Sequence, residues 1–340
     1  MAKRRRRAGK TARNLLSLLL FLALLLAVDC FAGDPAGVLQ ANAPGPAAAS
    51  AAPAAFEQPA ASPESTQPGK PAASPSPAGA QTGALSVYVL DVGQGDSIFL
   101  KSPSGKTMLV DAAESDEYKT IDAFLKKQQV KKLDVVIATH PHADHIGSMR
   151  SVVSHYPVGV YYMTDAVNNT ASYENLIDTL KSRKITVKQA IGGADSYIAW
   201  DDAAEVRILS PLPGKTYDDL NNTSIVCRVR FGDTSILLTG DAESIAERDM
   251  LETLPAELLR ATVLKAGHHG SNSSSSPDFL DAVSPKAAVI SCGLDNAYGH
   301  PHEETLESLA QRDIRVYRTD QDGTVHITLD GKGYTVETEK

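Results

Sequence analysis

The chain is poor in cysteine and tryptophan and carries no surplus of basic charge. Three cysteines, Cys30, Cys227 and Cys292, among 340 residues are too few to frame a disulfide-stapled scaffold. Cys227 and Cys292 sit in apolar, strand-like runs and read as buried thiols whose spacing asks for no bridge. The formal net charge of −8 argues against a broad electrostatic grip on nucleic acid, which needs a basic face. A membrane-spanning helix wants roughly 18 or more apolar residues. The apolar run at residues 15–28 has 14, so a permanent anchor is the second choice there.

What is present falls into three parts. Residues 3–7 form a basic cluster ahead of that apolar run, and small residues follow it. This pattern reads as an export signal over residues 1–32, which implies an extracellular or cell-surface location. Cys30 offers a lipoprotein alternative, although Asp29 departs from the small residue that lipidation sites prefer. Residues 33–84 are dominated by Ala, Pro, Ser and Gly. They cannot bury enough surface to offset chain entropy and are expected to form a tether, suited to membrane or cell-wall association. Residues 85–340 are long enough for one substantial core. They hold 25 Lys/Arg against 37 Asp/Glu, a formal charge of −12, which bound divalent cations would offset locally.

Within that domain, strand signals lie at 85–92, 97–101, 107–110, 133–138 and 205–209. A hairpin joins 224–231 to 235–239 across Gly232-Asp233-Thr234, and further strands lie at 262–265, 287–292, 315–317, 324–329 and 334–337. Helical stretches fall at 118–128, 173–183, 242–254 and 303–312. Pattern alone gives an α/β domain in which strands and helices alternate in both halves.

The stretch that organises the chain is Thr139-His-Pro-His-Ala-Asp-His-Ile-Gly147, directly after the buried strand at 133–138. Its proline and polar residues turn the chain into a loop leading to a helix. His140 and His142, two apart, point the same way from an extended segment and can grip one ion, while Asp144 and His145 follow at the turn and can grip a second. Imidazole with carboxylate suits zinc or manganese, and mixed N/O sites are the usual catalytic kind. A merely solvated loop would not gather four metal-competent side chains within six residues. Seven of the nine histidines fall in three clusters, at 140–145, 268–269 and 300–302. His155 and His326 lie outside them and read as surface or packing residues.

The His-x-His-x-Asp-His pattern resembles the metal-binding loop of the metallo-β-lactamase superfamily. The motifs Asp91-Val-Gly-Gln-Gly-Asp-Ser97, Leu238-Thr-Gly-Asp-Ala-Glu243, Lys265-Ala-Gly-His-His-Gly-Ser271 and Gly299-His-Pro-His302 narrow the resemblance. They are similar to the extracellular nuclease-like domain of ComEC-type DNA-uptake proteins. The resemblance implies a four-layer αββα sandwich of two mixed sheets. It implies one or two divalent metal ions, zinc or manganese, held by His140, His142, Asp144, His145, Asp241 and His268, with Asp241 bridging. Asp144, His269, His300 and His302 would carry the chemistry. Asp91, Asp96, Asp111, Asn221, Lys265 and Ser271 would surround the ligands, Asp111 orienting a ligand histidine and Lys265 and Ser271 lying toward the substrate. Many superfamily members supply a third histidine to the first ion; here the matching region reads Leu220-Asn-Asn-Thr-Ser224, which leaves that site weaker.

The activity implied is metal-assisted hydrolysis of a phosphodiester, with DNA as the favoured substrate and no protein partner expected. A hydrolase of another phosphoester or of a cell-wall phosphodiester would use the same ligands. A non-catalytic metal-binding module is the third reading. The missing histidine and the Gly-His-Pro-His cluster disfavour β-lactam hydrolysis.

Overall fold

The computed structural model of the protein describes residues 83–340; the expected export segment 1–32 and nearly all of the linker 33–84 lie outside them. Fifteen strands form two mixed sheets among the described residues. The first sheet comprises β1 (Leu85–Val89), β2 (Ile98–Lys101), β3 (Thr107–Val110), β4 (Leu133–Ile137), β5 (Val158–Met163) and β6 (Val187–Gln189), with two late strands at its edge. The second comprises β7 (Tyr197–Asp201), β8 (Ala204–Ser210), β9 (Val226–Phe231), β10 (Thr234–Leu238), β11 (Val263–Lys265), β12 (Ala287–Ile290) and β13 (Arg315–Arg318). The late strands are β14 (Val325–Leu329) and β15 (Tyr334–Thr338). Strand order is β15-β14-β1-β2-β3-β4-β5-β6 in one sheet and β13-β12-β11-β10-β9-β8-β7 in the other.

Alternation of side chains fixes the layers, because successive residues of a strand point to opposite faces. In β4, Val135 and Ile137 face the second sheet, while Val136 faces the helices. In β10, Ile236 and Leu238 pack between the sheets and Leu237 packs outward. Strands covered on both faces read as continuous apolar runs, which is why these were legible in the sequence. The helices α1 (Tyr118–Lys127), α2 (Ala143–Ile146), α3 (Met149–His155) and α4 (Ala171–Ser182) follow strands of the first sheet. Ile121, Leu125, Val152, Leu176 and Leu180 from them build the outer core of that sheet. The helices α5 (Ser244–Thr253), α6 (Pro277–Val283) and α7 (Glu303–Ala310) cover the second sheet through Met250, Phe279, Leu280 and Leu309. Three apolar cores between four layers make an αββα sandwich.

Differences from the sequence reading are local. Strands β5, β6 and β7 carried no signal strong enough to be assigned. Ser97 precedes β2 rather than beginning it, and residues 90–92 leave β1 for a loop. Cys227 and Cys292 are buried free thiols. No helix among the described residues is long and apolar enough to cross a membrane.

The polarity of the strands places the site. β3 to β6 run parallel, as do β10 to β13. Loops leaving the carboxyl ends of β4, β10, β11 and β12 carry residues 139–147, Asp241, His268 with His269, and Ser291. Crevices outside such strand ends are where open α/β sheets bind ligands.

Candidate metal centre

Thr139 anchors the loop after β4. Its backbone N–H and its hydroxyl both donate to the buried Asp111 carboxylate, at 2.8 and 2.7 Å. Asp111 Oδ2 also lies 2.8 Å from His145 Nδ1. A carboxylate on one ring nitrogen fixes the ring and turns the other nitrogen toward the site. His269 is held the same way, its Nδ1 lying 3.0 Å from the Ser291 carbonyl, which can only accept. His140 is bracketed at Nδ1 by the hydroxyls of Thr139 and Ser224, at 3.2 and 3.3 Å.

These constraints aim several groups at one place. Ligand atoms of Asp144, His145, Asp241 and His269 all lie within 4.8 Å of one another. Asp241 Oδ2 is 3.2 Å from His145 Nε2, 3.5 Å from His269 Nε2 and 3.7 Å from His140 Nε2. His269 Nε2 is 3.2 Å from Asp144 Oδ2, and His140 Nε2 is 3.0 Å from His142 Nδ1. Yet His145 Nε2, His269 Nε2 and Asp241 Oδ1 are buried with no hydrogen-bond partner. Buried polar atoms that converge at ion-pair distance without an aligned hydrogen bond leave a place for a cation among them. Imidazole nitrogens with carboxylate oxygens match a divalent transition ion.

Electrostatics agree with that fit. Burial alone would push His145 and His269 toward the neutral form. The carboxylates of Asp241 and Asp144 outweigh it and hold both imidazoles well above the ordinary histidine range. Burial likewise opposes the charge on Asp241, but His145 and His269 keep its carboxyl well below the usual range. For His140, burial and then the neighbouring charge on His145 drive the pKa well down, leaving a neutral ring able to offer a lone pair.

Behind this cluster, Asp96, Asp111 and His145 form a second, fully buried set of closely spaced ligand atoms. A cation is already built in there: Lys265 Nζ lies 2.8 Å from Asp96 Oδ2, both side chains being sealed from solvent. The Asp91–Ser97 loop packs against the metal loop through Gly95, where a Cβ would overlap the Asp144 carbonyl. At φ +132° this position also favours glycine, and the Asp96 N–H then reaches Asp144 O at 3.1 Å.

Several expected residues sit elsewhere than the sequence reading put them. His268 was expected to complete the second ion site; the structure brings His269 there instead. His268 Nε2 stands 3.9 Å from Asp241 Oδ2, and its Nδ1 turns to Glu243 at 3.2 Å. Both histidines have left-handed backbones, φ 46° and 54°, which swing adjacent side chains to different sides. Lys265 is buried on Asp96 and does not face substrate. Ser271 contacts Ser273, at 2.9 Å between hydroxyl oxygens, and does not line the cleft. His302 Nδ1 accepts from the Asn272 N–H at 3.0 Å, a loop-holding role. Asp91 pairs with Lys340 at 3.0 Å, away from the ligands. Of the two asparagines, Asn221 faces the cleft, 3.5 Å from His268 Nε2. Asn222 instead holds Glu243 and the start of α5.

The cleft above the cluster has a volume of about 420 Å³. His142, Asp144, Asp241, His268, His269 and His300 line it. Gln94, Glu114, Asn168, Thr170 and Tyr298 also line it, and of these only Gln94 lies in a motif, without being singled out there. The other four belong to no motif, and only the fold brings them to one place.

Two facing mixed sheets with a histidine–carboxylate cluster at their strand ends define a metal-binding αββα sandwich. The metallo-β-lactamase superfamily model matches residues 90–294, and the chain belongs to that superfamily. ComE operon protein 3 of Bacillus subtilis is 31% identical over 256 residues, 70% of this chain and 32% of its own length. Competence protein ComA of Neisseria gonorrhoeae is 32% identical over 250 residues, covering 73% and 33%. Recombination protein 2 of Haemophilus influenzae is 31% identical over 248 residues, covering 72% and 29%. The chain thus spans about a third of the length of these relatives.

Proposed function

We propose that this protein is a metal-dependent phosphodiesterase acting on DNA. The observation that carries the reading is the convergence of Asp144, His145, Asp241 and His269, with unpartnered buried atoms, on the floor of an open cleft. Similarity to proteins named for competence and recombination favours a nucleic-acid phosphodiester over another ester.

His140, His142, Asp144, His145, Asp241 and His269 would hold one or two divalent ions, zinc or manganese. Such an ion supplies Lewis acidity and brings the pKa of water close to neutrality. Asp144, partly open to the cleft, accepts a hydrogen bond from the attacking water and orients it. His268, its Nδ1 held by Glu243, presents Nε2 to the cleft and delivers a proton to the leaving oxygen. Burial, then the charges of His268 and His269, push His300 down to about 4. Its ring is therefore neutral at physiological pH, and it serves by hydrogen-bonding a phosphate oxygen. Asn221 and Asn168 add further neutral donors.

The test is metal per chain together with hydrolysis of simple phosphodiesters, phosphomonoesters and DNA. Bound metal with no hydrolysis of any phosphodiester would replace this reading with that of a metal-binding module. Turnover confined to a non-nucleotide ester would retain the mechanism and discard DNA. We also read residues 1–32 as an export signal that delivers the domain outside the cytoplasm. Its basis is the basic cluster followed by the apolar run. Mass spectrometry of the native N-terminus checks it, and an intact Met1 in a cytosolic fraction would defeat it.

A further inference from the structure

Tyr298 is an exposed aromatic ring at the mouth of the metal cleft. Tyr298 is 67% exposed. It is nonetheless held in place. The Tyr298 ring stacks on His300 with centroids 5.6 Å apart and an interplanar angle of 22°. His300 in turn lies 6.2 Å from His269, inclined by 27°. The three rings step outward from the metal cluster to the surface.

The segment that carries Tyr298 is stapled rather than loose. Asn296 Oδ1 accepts from the backbone N–H groups of Tyr298 and His300, at 3.2 and 3.0 Å. Its Nδ2 donates to the carbonyls of Gly293 and His300, at 2.9 and 2.5 Å. Gly293 N–H donates to Gln94 Oε1 at 3.1 Å, tying this segment to the loop that packs on Asp144. A ring fixed in this way loses little freedom when something settles on its open face.

Charge narrows what that something is. Among the described residues, none of those lining the cleft is lysine or arginine, whereas Glu114, Asp144 and Asp241 are among them. Any ion held by the cluster would meet only the reacting phosphate, so no side-chain cation grips the flanking ones here. Aromatic stacking is the remaining sequence-independent source of affinity, and it requires a base with a free face. We propose that the exposed face of Tyr298 is a base-stacking platform for the nucleotide flanking the reacting phosphate, so that the substrate is single-stranded or locally unpaired nucleic acid. The proposal rests on the nuclease reading above, because it supplies that reading's substrate class.

The experiment uses the metal-loaded full chain and a single-stranded DNA oligomer containing 2-aminopurine, whose fluorescence is quenched on stacking. Wild type and Tyr298→Phe should quench it on binding. Tyr298→Ala should lose the quench and weaken binding about ten-fold, the weight of one base–aromatic stack. Affinity should fall only shallowly with salt, since few phosphate charges are neutralised. No quench in the wild type, or full quench in Tyr298→Ala, overturns the proposal. Cleavage of the same oligomer is followed in parallel. Quenching without cleavage would sink the hydrolase and leave the platform; cleavage without quenching would do the reverse.

Discussion

Lys265 Nζ stands 2.8 Å from Asp96 Oδ2 with both side chains excluded from water, directly behind the metal cluster. Asp96 also faces His269 Nδ1 at 3.5 Å, so one buried cation stabilises a carboxylate that in turn touches a ligand ring. Lys265→Met should therefore strand a buried charge and lower stability by about 3–5 kcal/mol. The double variant Lys265→Met/Asp96→Asn, which removes both charges, should recover most of that loss. Denaturant unfolding of the two variants decides. A single variant as stable as wild type would mean the pair contributes nothing.

Gly95 and Gly105 both have positive φ, +132° and +88°, but only Gly95 has a neighbour where its Cβ would go. Gly105→Ala should cost about 1 kcal/mol from backbone strain and leave the metal content alone. Gly95→Ala must displace the Asp144 carbonyl and with it the metal loop. Metal per chain should fall while the fold survives, as near-ultraviolet circular dichroism would report. Equal metal content in both variants would count against the fixed packing of the two loops.

Much of this arrangement was legible in the sequence because it is local. Strands β4, β10 and β12 are covered on both faces and read as largely apolar runs. The loop after β4 holds its candidate ligands within a few residues. What stayed hidden depends on contacts far along the chain. β7 shows alternation, with Ile198 and Trp200 buried and Tyr197 and Ala199 exposed, but over only five residues. β5 begins half-exposed and gains its identity from parallel pairing with β4. Lys265 looks like a surface residue until Asp96, supplied by a distant loop, explains its burial. His268 and His269 are chemically identical neighbours, and their left-handed backbones alone assign them different directions.

That assignment gives a direct test. His269→Ala removes a ring whose Nε2 lies among Asp144, His145 and Asp241, so metal per chain should drop. Asp241→Ala should lower it further, since Asp241 Oδ2 approaches His140, His145 and His269 alike. His268→Ala should keep its metal and lose catalytic rate, about 10²-fold or more if it is the proton donor. Metal analysis and turnover on one phosphodiester, measured together, separate the two histidines. Loss of metal in His268→Ala with retention in His269→Ala would restore the order expected from sequence.

The histidine charges make metal binding depend on pH in a defined direction. In the metal-free protein, His145 and His269 have pKa values raised well above 6.5 by Asp241 and Asp144. Their contribution to stability is fully present below the unfolded value and is lost as pH rises through the raised folded values. A bound cation needs the Nε2 lone pairs of both rings, so it must displace those protons. Metal affinity should consequently rise with pH from about 6.5 upward until the folded pKa values are passed. Over the same window the metal-free protein loses part of its own stability. The gap between the melting temperatures of metal-loaded and chelator-treated protein should therefore widen as pH increases. Calorimetric titration in buffers of different ionisation enthalpy should register about two protons released for an ion bound by both rings. A melting gap independent of pH, with no proton release, would place the ion away from His145 and His269.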